Sequence, residues 1–425
     1  MKQIYKYLQM IGLVLIVLFV VGCKNASTPQ ITTNSSGDAL AIWQSKTSAT
    51  DEGLVYTKNL RSDELINVLD LIDSSNPQIV MNSAGYANAV WSLVVPRSSN
   101  HQIIARHYVP SNGWLRKNHI LNNVRQGVSV SHPKVAINSS RNYQSVVVWN
   151  ESRGTVRSVW SSIYDSSERR WSRAERVGTG GSPEVAIDNR GNAMMVWEYE
   201  FTIWAKRYLH GSGWQSEERI STPDASAGSL SPKIVMNGRG NVIVVWYKFK
   251  EEIIPGKLDS TIYARHYSPR DGWGVENDIG PENSEAATPQ IKMNPSGDTI
   301  VVWNRQGSPG DGNSTIWSNV YNSSSGWGTA ELISGESNRE SSPQVAINTR
   351  GEGISVWRDA TSGIWYNRTL GSPNGWEVPR KIMESDSTAF SPQVGVSNTD
   401  SIVVWTQSDG EKSIFKSKII REDMP

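Results

Sequence analysis

One pattern recurs eight times along this chain and restricts it to repeat architectures. It begins with Pro-x-aliphatic, passes through a polar turn rich in Asn and Gly, and ends in an apolar run closed by Trp. The copies start at Pro29, Pro77, Pro133, Pro183, Pro232, Pro289, Pro343 and Pro392, at intervals of 48 to 57 residues, and close at Trp43, Trp91, Trp149, Trp197, Trp246, Trp303, Trp357 and Trp405. In the copy SPKIVMNGRGNVIVVW, residues 231–246, apolar residues alternate in the first half and run together in the second. That predicts a hairpin whose second strand is buried on both faces. A lone hairpin is marginal in water, so the repeats must bury their faces against one another.

Each repeat continues past its Trp through a variable loop into a third strand, as in Ile203-Trp204-Ala205-Lys206-Arg207-Tyr208 and Ile316-Trp317-Ser318-Asn319-Val320-Tyr321. Gly-Trp at an outer turn follows, at Trp114, Trp214, Trp273, Trp327 and Trp376, with Arg170-Trp171 in the third copy, and then a short fourth strand. All 18 tryptophans fall on repeat positions: eight close second strands, six mark outer turns, and Trp160, Trp204, Trp317 and Trp365 lie in third strands. Their abundance therefore reads as packing between sheets. The expected fold is all-β, a single β-propeller over residues 28–425 with eight four-stranded blades, seven being the alternative. The first and last copies depart from the pattern. The first lacks Gly-Trp, and after Phe415 the chain has either a three-stranded last blade or a short outer strand at Ile419-Ile420.

The order of these elements resembles the repeats of sialidase-like (BNR-type) propellers. That family carries Ser-x-Asp-x-Gly-x-x-Trp at the outer turn. Here Ser268-Pro269-Arg270-Asp271-Gly272-Trp273 and His210-Gly211-Ser212-Gly213-Trp214 keep only the Gly-Trp. The resemblance implies a blade layout rather than an activity, since the fold hosts many functions. Sialidases also need a Phe/Tyr-Arg-Ile-Pro motif, which this sequence does not contain.

The N-terminus carries Lys2 and Lys6, an apolar run from Met10 to Val21, and then Gly22-Cys23. This is the layout of an export signal, too short for a comfortable membrane span. Val20-Val21-Gly22-Cys23 resembles the bacterial lipobox, which implies a signal peptide over residues 1–22, cleavage before Cys23, acylation of Cys23 and a short lipidated tether over residues 23–27. Cys23 is the only cysteine, so no internal disulfide can form. Lys24 in the next position implies, by the same resemblance, sorting to the outer membrane of a Gram-negative envelope.

Forty-two basic against 41 acidic residues give a net charge of +1, which asks for no nucleic acid. The six histidines lack zinc-site spacing and no nucleophile elbow occurs, so neither a metal nor another cofactor is expected. Glu151, Glu198, Glu200 and Asp359 follow second-strand tryptophans and read as solvated loop charges. The expectation is of a protein that is not an enzyme: a membrane-anchored interaction platform holding a protein partner, or alternatively a glycan-binding surface protein. The residues after each repeat Pro, namely Gln30, Gln78, Lys134, Glu184, Lys233, Gln290, Gln344 and Gln393, are expected to ring a central channel mouth. Lys248 and Lys250, in the long loop after Trp246, are expected to meet a partner.

Overall fold

The computed structural model describes residues 25–46, 54–60, 65–67, 74–95, 100–222, 227–250, 259–281, 285–306, 313–335, 340–361, 363–371, 375–382, 388–408 and 413–421. Among them there is no helix. The strands form eight antiparallel units, over residues 25–67, 74–120, 129–179, 181–219, 227–278, 285–332, 341–381 and 388–421.

Within a unit the order follows the chain. In the fourth unit Gly181–Ile187 is innermost, Ala193–Tyr199 and Thr202–Leu209 follow, and Gly213–Arg219 is outermost. Among the described residues the eighth unit has three strands: Ile419 and Ile420 belong to its third strand, Ser413–Arg421, and pair with Ile402 and Ser401. The first unit has the short fourth strand Leu65–Asn67.

The second strands are buried on both faces, as their unbroken apolar runs require. Trp43, Trp91, Trp149, Trp246, Trp303 and Trp357 expose 0% of their surface and Trp197 exposes 1%. The core is divided among the boundaries between units. Ile42 packs with Ile79 and Trp91 of the next unit, Val148 with Val185 and Trp197, and Val302 with Val345 and Trp357. Trp43 of the first unit packs with Val404 and Phe415 of the eighth, so the ring closes on itself. The architecture is that of a β-propeller.

Two polar devices repeat at these boundaries. Seven of the eight hairpin turns open on a buried Asn or Asp whose carbonyl or carboxylate oxygen accepts amides of its own turn, as Asn138 Oδ1 does from Gln144 N at 2.9 Å, and the eighth uses the Ser397 hydroxyl. The Nδ2 of Asn82 reaches the carbonyl of Asn138 at 3.2 Å, and Asn138 Nδ2 that of Asp188 at 3.1 Å. On the third strands, Lys206 Nζ donates to Val177 O at 3.0 Å, Arg265 Nη1 to Ile220 O at 2.7 Å, and Asn319 Nδ2 to Ile279 O at 2.9 Å. Asn367 Nδ2 donates to Ile333 O at 3.0 Å and Lys418 Nζ to Ile382 O at 2.9 Å. Each acceptor is the last buried aliphatic residue of the preceding unit, whose carbonyl would otherwise lack a partner.

Candidate functional site

Antiparallel pairing puts the start of every innermost strand beside the end of its second strand, on the face that carries the second-to-third-strand loops. The ladder breaks there in all eight units, between Ser27 and Gln30, Ser75 and Gln78, Ser131 and Lys134, Gly181 and Glu184, Leu230 and Lys233, Ala287 and Gln290, Ser341 and Gln344, and Phe390 and Gln393. The repeat proline sits inside this bulge, where its missing N–H costs no ladder bond, and its ring is buried.

The residue before the proline is left-handed in seven units, with φ of 52° at Asn76, 52° at His132, 51° at Ser182, 54° at Ser231, 52° at Thr288, 55° at Ser342 and 48° at Ser391. None is Gly, and Thr288 is β-branched, so each position holds on the order of 1–3 kcal/mol of backbone strain. The bulge turns these polar side chains outward. Asn76, His132, Ser182, Thr288 and Ser342 are exposed.

The residues after the prolines occupy one equivalent position, half-buried and opposite an aliphatic of the second strand: Gln30 opposite Ile42, Gln78 opposite Val90, Gln290 opposite Val302, Gln344 opposite Val356 and Gln393 opposite Val404. Lys134, Glu184 and Lys233 are brought together. Glu184 Oε1 accepts from Lys233 Nζ at 2.5 Å and lies 3.2 Å from Lys134 Nζ. Burial pushes the Glu184 carboxyl up, but the two ammonium groups outweigh it and hold the group below its ordinary value. Lys292 adds a third ammonium. Its side chain is open to solvent yet ringed by protein, and desolvation lowers its pKa, with Lys134 adding to the effect and Glu184 opposing it.

Around this cluster lies a cavity of about 390 Å³ across the third, fourth and fifth units, walled by Ser131, His132, Asn150, Arg157, Ser182 and Ser231. Glu198 spans two bulges behind it, accepting from Ser182 Oγ at 3.1 Å and from the Ser231 amide. The pre-proline residues were missed in the sequence reading. The signal was present as a small polar residue, Asn, Ser, Thr or His, before each of these prolines.

Three of the four acidic residues read as solvated loop charges are corrected by their surroundings. Asp359 is buried and caps its turn, accepting from Gly363 N at 2.7 Å and Trp365 Nε1 at 2.8 Å. Glu151 is 9% exposed, and burial raises its pKa against the pull of Arg125. Glu198 is the bulge-spanning carboxylate. Lys248 is buried rather than presented to a partner: its ammonium lies 3.3 Å from Glu276 and 4.9 Å from the Tyr263 ring centroid. The backbone of Lys250 pairs with Asp259 and Ala227. Cys23 and the signal region lie outside the described residues, as does the loop 251–258. Among the described residues no group of three or more His, Cys, Asp or Glu could hold a metal ion.

The aromatic rings of the repeat are largely covered. Trp214 sits edge-on to Tyr208 and donates to Ser161 Oγ at 3.0 Å, and Trp273 and Trp327 meet Tyr267 and Tyr321 in the same way. Arg125, Arg305 and Lys381 lie over Trp160, Trp317 and Trp365 at 5.8, 5.2 and 5.9 Å.

No family model matches the sequence, and no curated protein matches it. Solved structures do share the architecture. The Dos1 propeller is 9% identical over 93% of both chains with a TM-score of 0.55. An α-L-arabinofuranosidase of Fusarium graminearum, determined with an iminosugar inhibitor, is 11% identical over 82% of this chain and 93% of its own, TM-score 0.46. The Aleuria aurantia lectin in complex with a fucosyl disaccharide is 11% identical over 73% and 96%, TM-score 0.40. At these identities the likeness establishes the propeller fold alone. It also corrects the expectation that the chain is not an enzyme: glycoside hydrolases stand among the structures of this shape, so an incomplete set of sialidase motifs gives no ground for excluding catalysis.

Proposed function

We propose that this chain is an exported protein, anchored in the bacterial envelope through lipid on Cys23, and that the face carrying the inner-strand bulges is its binding platform. The reading rests on one observation: seven pre-proline residues held left-handed on a single face. The geometry is constant from unit to unit, while the side chains it presents vary among Asn, His, Ser and Thr. A fixed frame with varied polar tips is how rigid scaffolds carry recognition. The Lys134–Glu184–Lys233 cluster and the cavity around it lie on that face.

A partner polypeptide is the first reading for the occupant. Photo-crosslinking in intact cells tests it, with the reactive residue placed at His132, at Ser182, or at Arg239 on the opposite face. Discrete adducts from the first two and none from Arg239 are expected; equal labelling from all three sinks the platform. Cys23→Ala should release the protein from the membrane fraction and abolish incorporation of labelled palmitate.

A second reading, a glycan in the same place, is favoured by the hydroxyl and amide groups of Ser131, Ser182, Ser231 and Asn150 that line the cavity. It locates sugar binding there rather than at the covered Gly-Trp rings. Glycan-array binding lost in Glu184→Gln, and retained in Trp273→Phe, would support it.

A further inference from the structure

At the boundary between the fifth and sixth units, on the same face, lies a second cavity of about 490 Å³. Its walls are mostly apolar, from Leu230, Tyr247, Phe249, Ala286 and Ala287, and its polar residues are Ser260, Gln306 and Glu285. Glu285 Oε1 is buried and has no hydrogen-bond partner among the described residues. A carboxylate oxygen removed from water and left unpaired is costly, and such a group in a folded protein calls for an explanation.

The aromatic wall is held in place by two unusual backbone features. Gly228 faces Phe249 across the ladder, and a Cβ there would stand 2.3 Å from the Phe249 ring, so the glycine leaves the space that the ring occupies. The hairpin turn Glu200-Phe201 is left-handed at both positions, with φ of 48° and 56°, where two-residue turns ordinarily use Asn-Gly. This strained turn is fixed by Ser229 N donating to Phe201 O at 2.7 Å. It holds the Phe201 ring, 63% exposed, edge-on to Phe249 at 6.2 Å, while Tyr247 lies 6.2 Å from Phe249 on the other side.

An unpaired carboxylate oxygen in a largely apolar, ring-lined cavity is complementary to a cation on an apolar stem. We propose that the cavity binds an alkylammonium or guanidinium group, its charged head against Glu285 Oε1 and its methylenes along Tyr247, Phe249 and Leu230. Ring faces attract such a cation where water is excluded, and the carboxylate supplies the matching charge. The head group could belong to a free amine or to a Lys or Arg side chain of another polypeptide, and the stem is common to both. The proposal uses none of the channel-mouth residues, so it stands or falls separately from the platform reading.

The test is titration calorimetry on the mature chain with n-pentylamine, agmatine, 1-pentanol and N-acetyl-lysinamide. Both amines are expected to bind, with 1-pentanol weaker by about tenfold or more, because its hydroxyl brings no positive charge to match the carboxylate. Glu285→Gln should lower amine affinity by about tenfold without lowering the melting temperature, since it removes an unpaired charge. Phe201→Gly, which removes an exposed ring and relieves the turn, should lower it about two- to fivefold in a folded protein. N-acetyl-lysinamide binding as well as pentylamine assigns a protein side chain as the source; its exclusion while pentylamine binds assigns a free amine. Equal affinity for amine and alcohol, undiminished binding by Glu285→Gln, or no heat from either amine overturns the proposal.

Discussion

His107 shows what a single side chain contributes at a boundary between units. It is 2% exposed, its Nδ1 meets Asn88 Oδ1, and its ring lies 4.1 Å from the Tyr164 centroid and 5.7 Å from that of Trp171 in the next unit. Burial, with a smaller push from His119, brings its pKa down to about 3. The folded value is therefore below the unfolded one near 6.5, and folding excludes a proton that the unfolded chain takes up. Stability is intact above pH 6.5 and falls as pH drops from there toward 3, by on the order of 4 kcal/mol in total. Urea unfolding between pH 7 and 4 checks this: His107→Gln should flatten that part of the profile, and an unchanged slope would remove His107 from the account. Lys292 works in the same direction but in a higher pH window, its penalty being relieved as pH rises. Its lowered pKa means that the charged form is disfavoured in the folded chain at neutral pH. Lys292→Met is expected to raise the melting temperature at pH 7, with the gain shrinking as pH rises through the depressed folded value toward 10.5, where the unfolded lysine also becomes neutral.

At the scale of the strand, the unit boundary is where the sequence was readable only in part. The second strands were legible because burial on both faces leaves an unbroken apolar run before each Trp. The third-strand clamp was not. Lys206, Arg265, Asn319, Asn367 and Lys418 share one repeat position, but three residue types there conceal one job, reaching a buried carbonyl in the preceding unit. Chemistry visible only across a boundary does not show in a single repeat. The bulge was hidden for a related reason: a pre-proline Ser or Asn looks like an ordinary turn residue until the ladder shows the register skipping. The clamp makes a graded prediction. Asn367 is 1% exposed and also donates to Glu377 O at 2.8 Å, so Asn367→Ala leaves two carbonyls unpaired and should cost about 2–4 kcal/mol in chemical denaturation. Asn367→Lys, the residue type used at two of the other clamps, should recover part of that loss. A loss below about 0.5 kcal/mol in the alanine variant would show the bond to be incidental.

Across the whole molecule, a ring of similar units needs something to hold its first and last members together. Many propellers complete one sheet with strands from both ends of the chain. Here the described residues of the eighth unit form three strands, and they meet the first unit by packing and a few hydrogen bonds. Trp43 stacks on Phe415 at 4.5 Å, Thr33 Oγ1 donates to Val396 O at 2.9 Å, and Asn25 bridges Ser413. The approach of the two inner strands depends on Gly395, where a Cβ would stand 2.5 Å from Thr33 Cγ2. Gly395→Ala therefore places a methyl group against Thr33 at the one boundary that no chain connection spans. The variant should lose about 1–3 kcal/mol, and limited proteolysis should cut first within the eighth unit. Thr33→Ala alone gives up one hydrogen bond, yet combined with Gly395→Ala it removes the clash. The double variant should be more stable than the sum of the single losses by about 1 kcal/mol or more. Additive losses would mean that closure does not depend on this contact, and that the Trp43–Phe415 cluster holds the ring by itself.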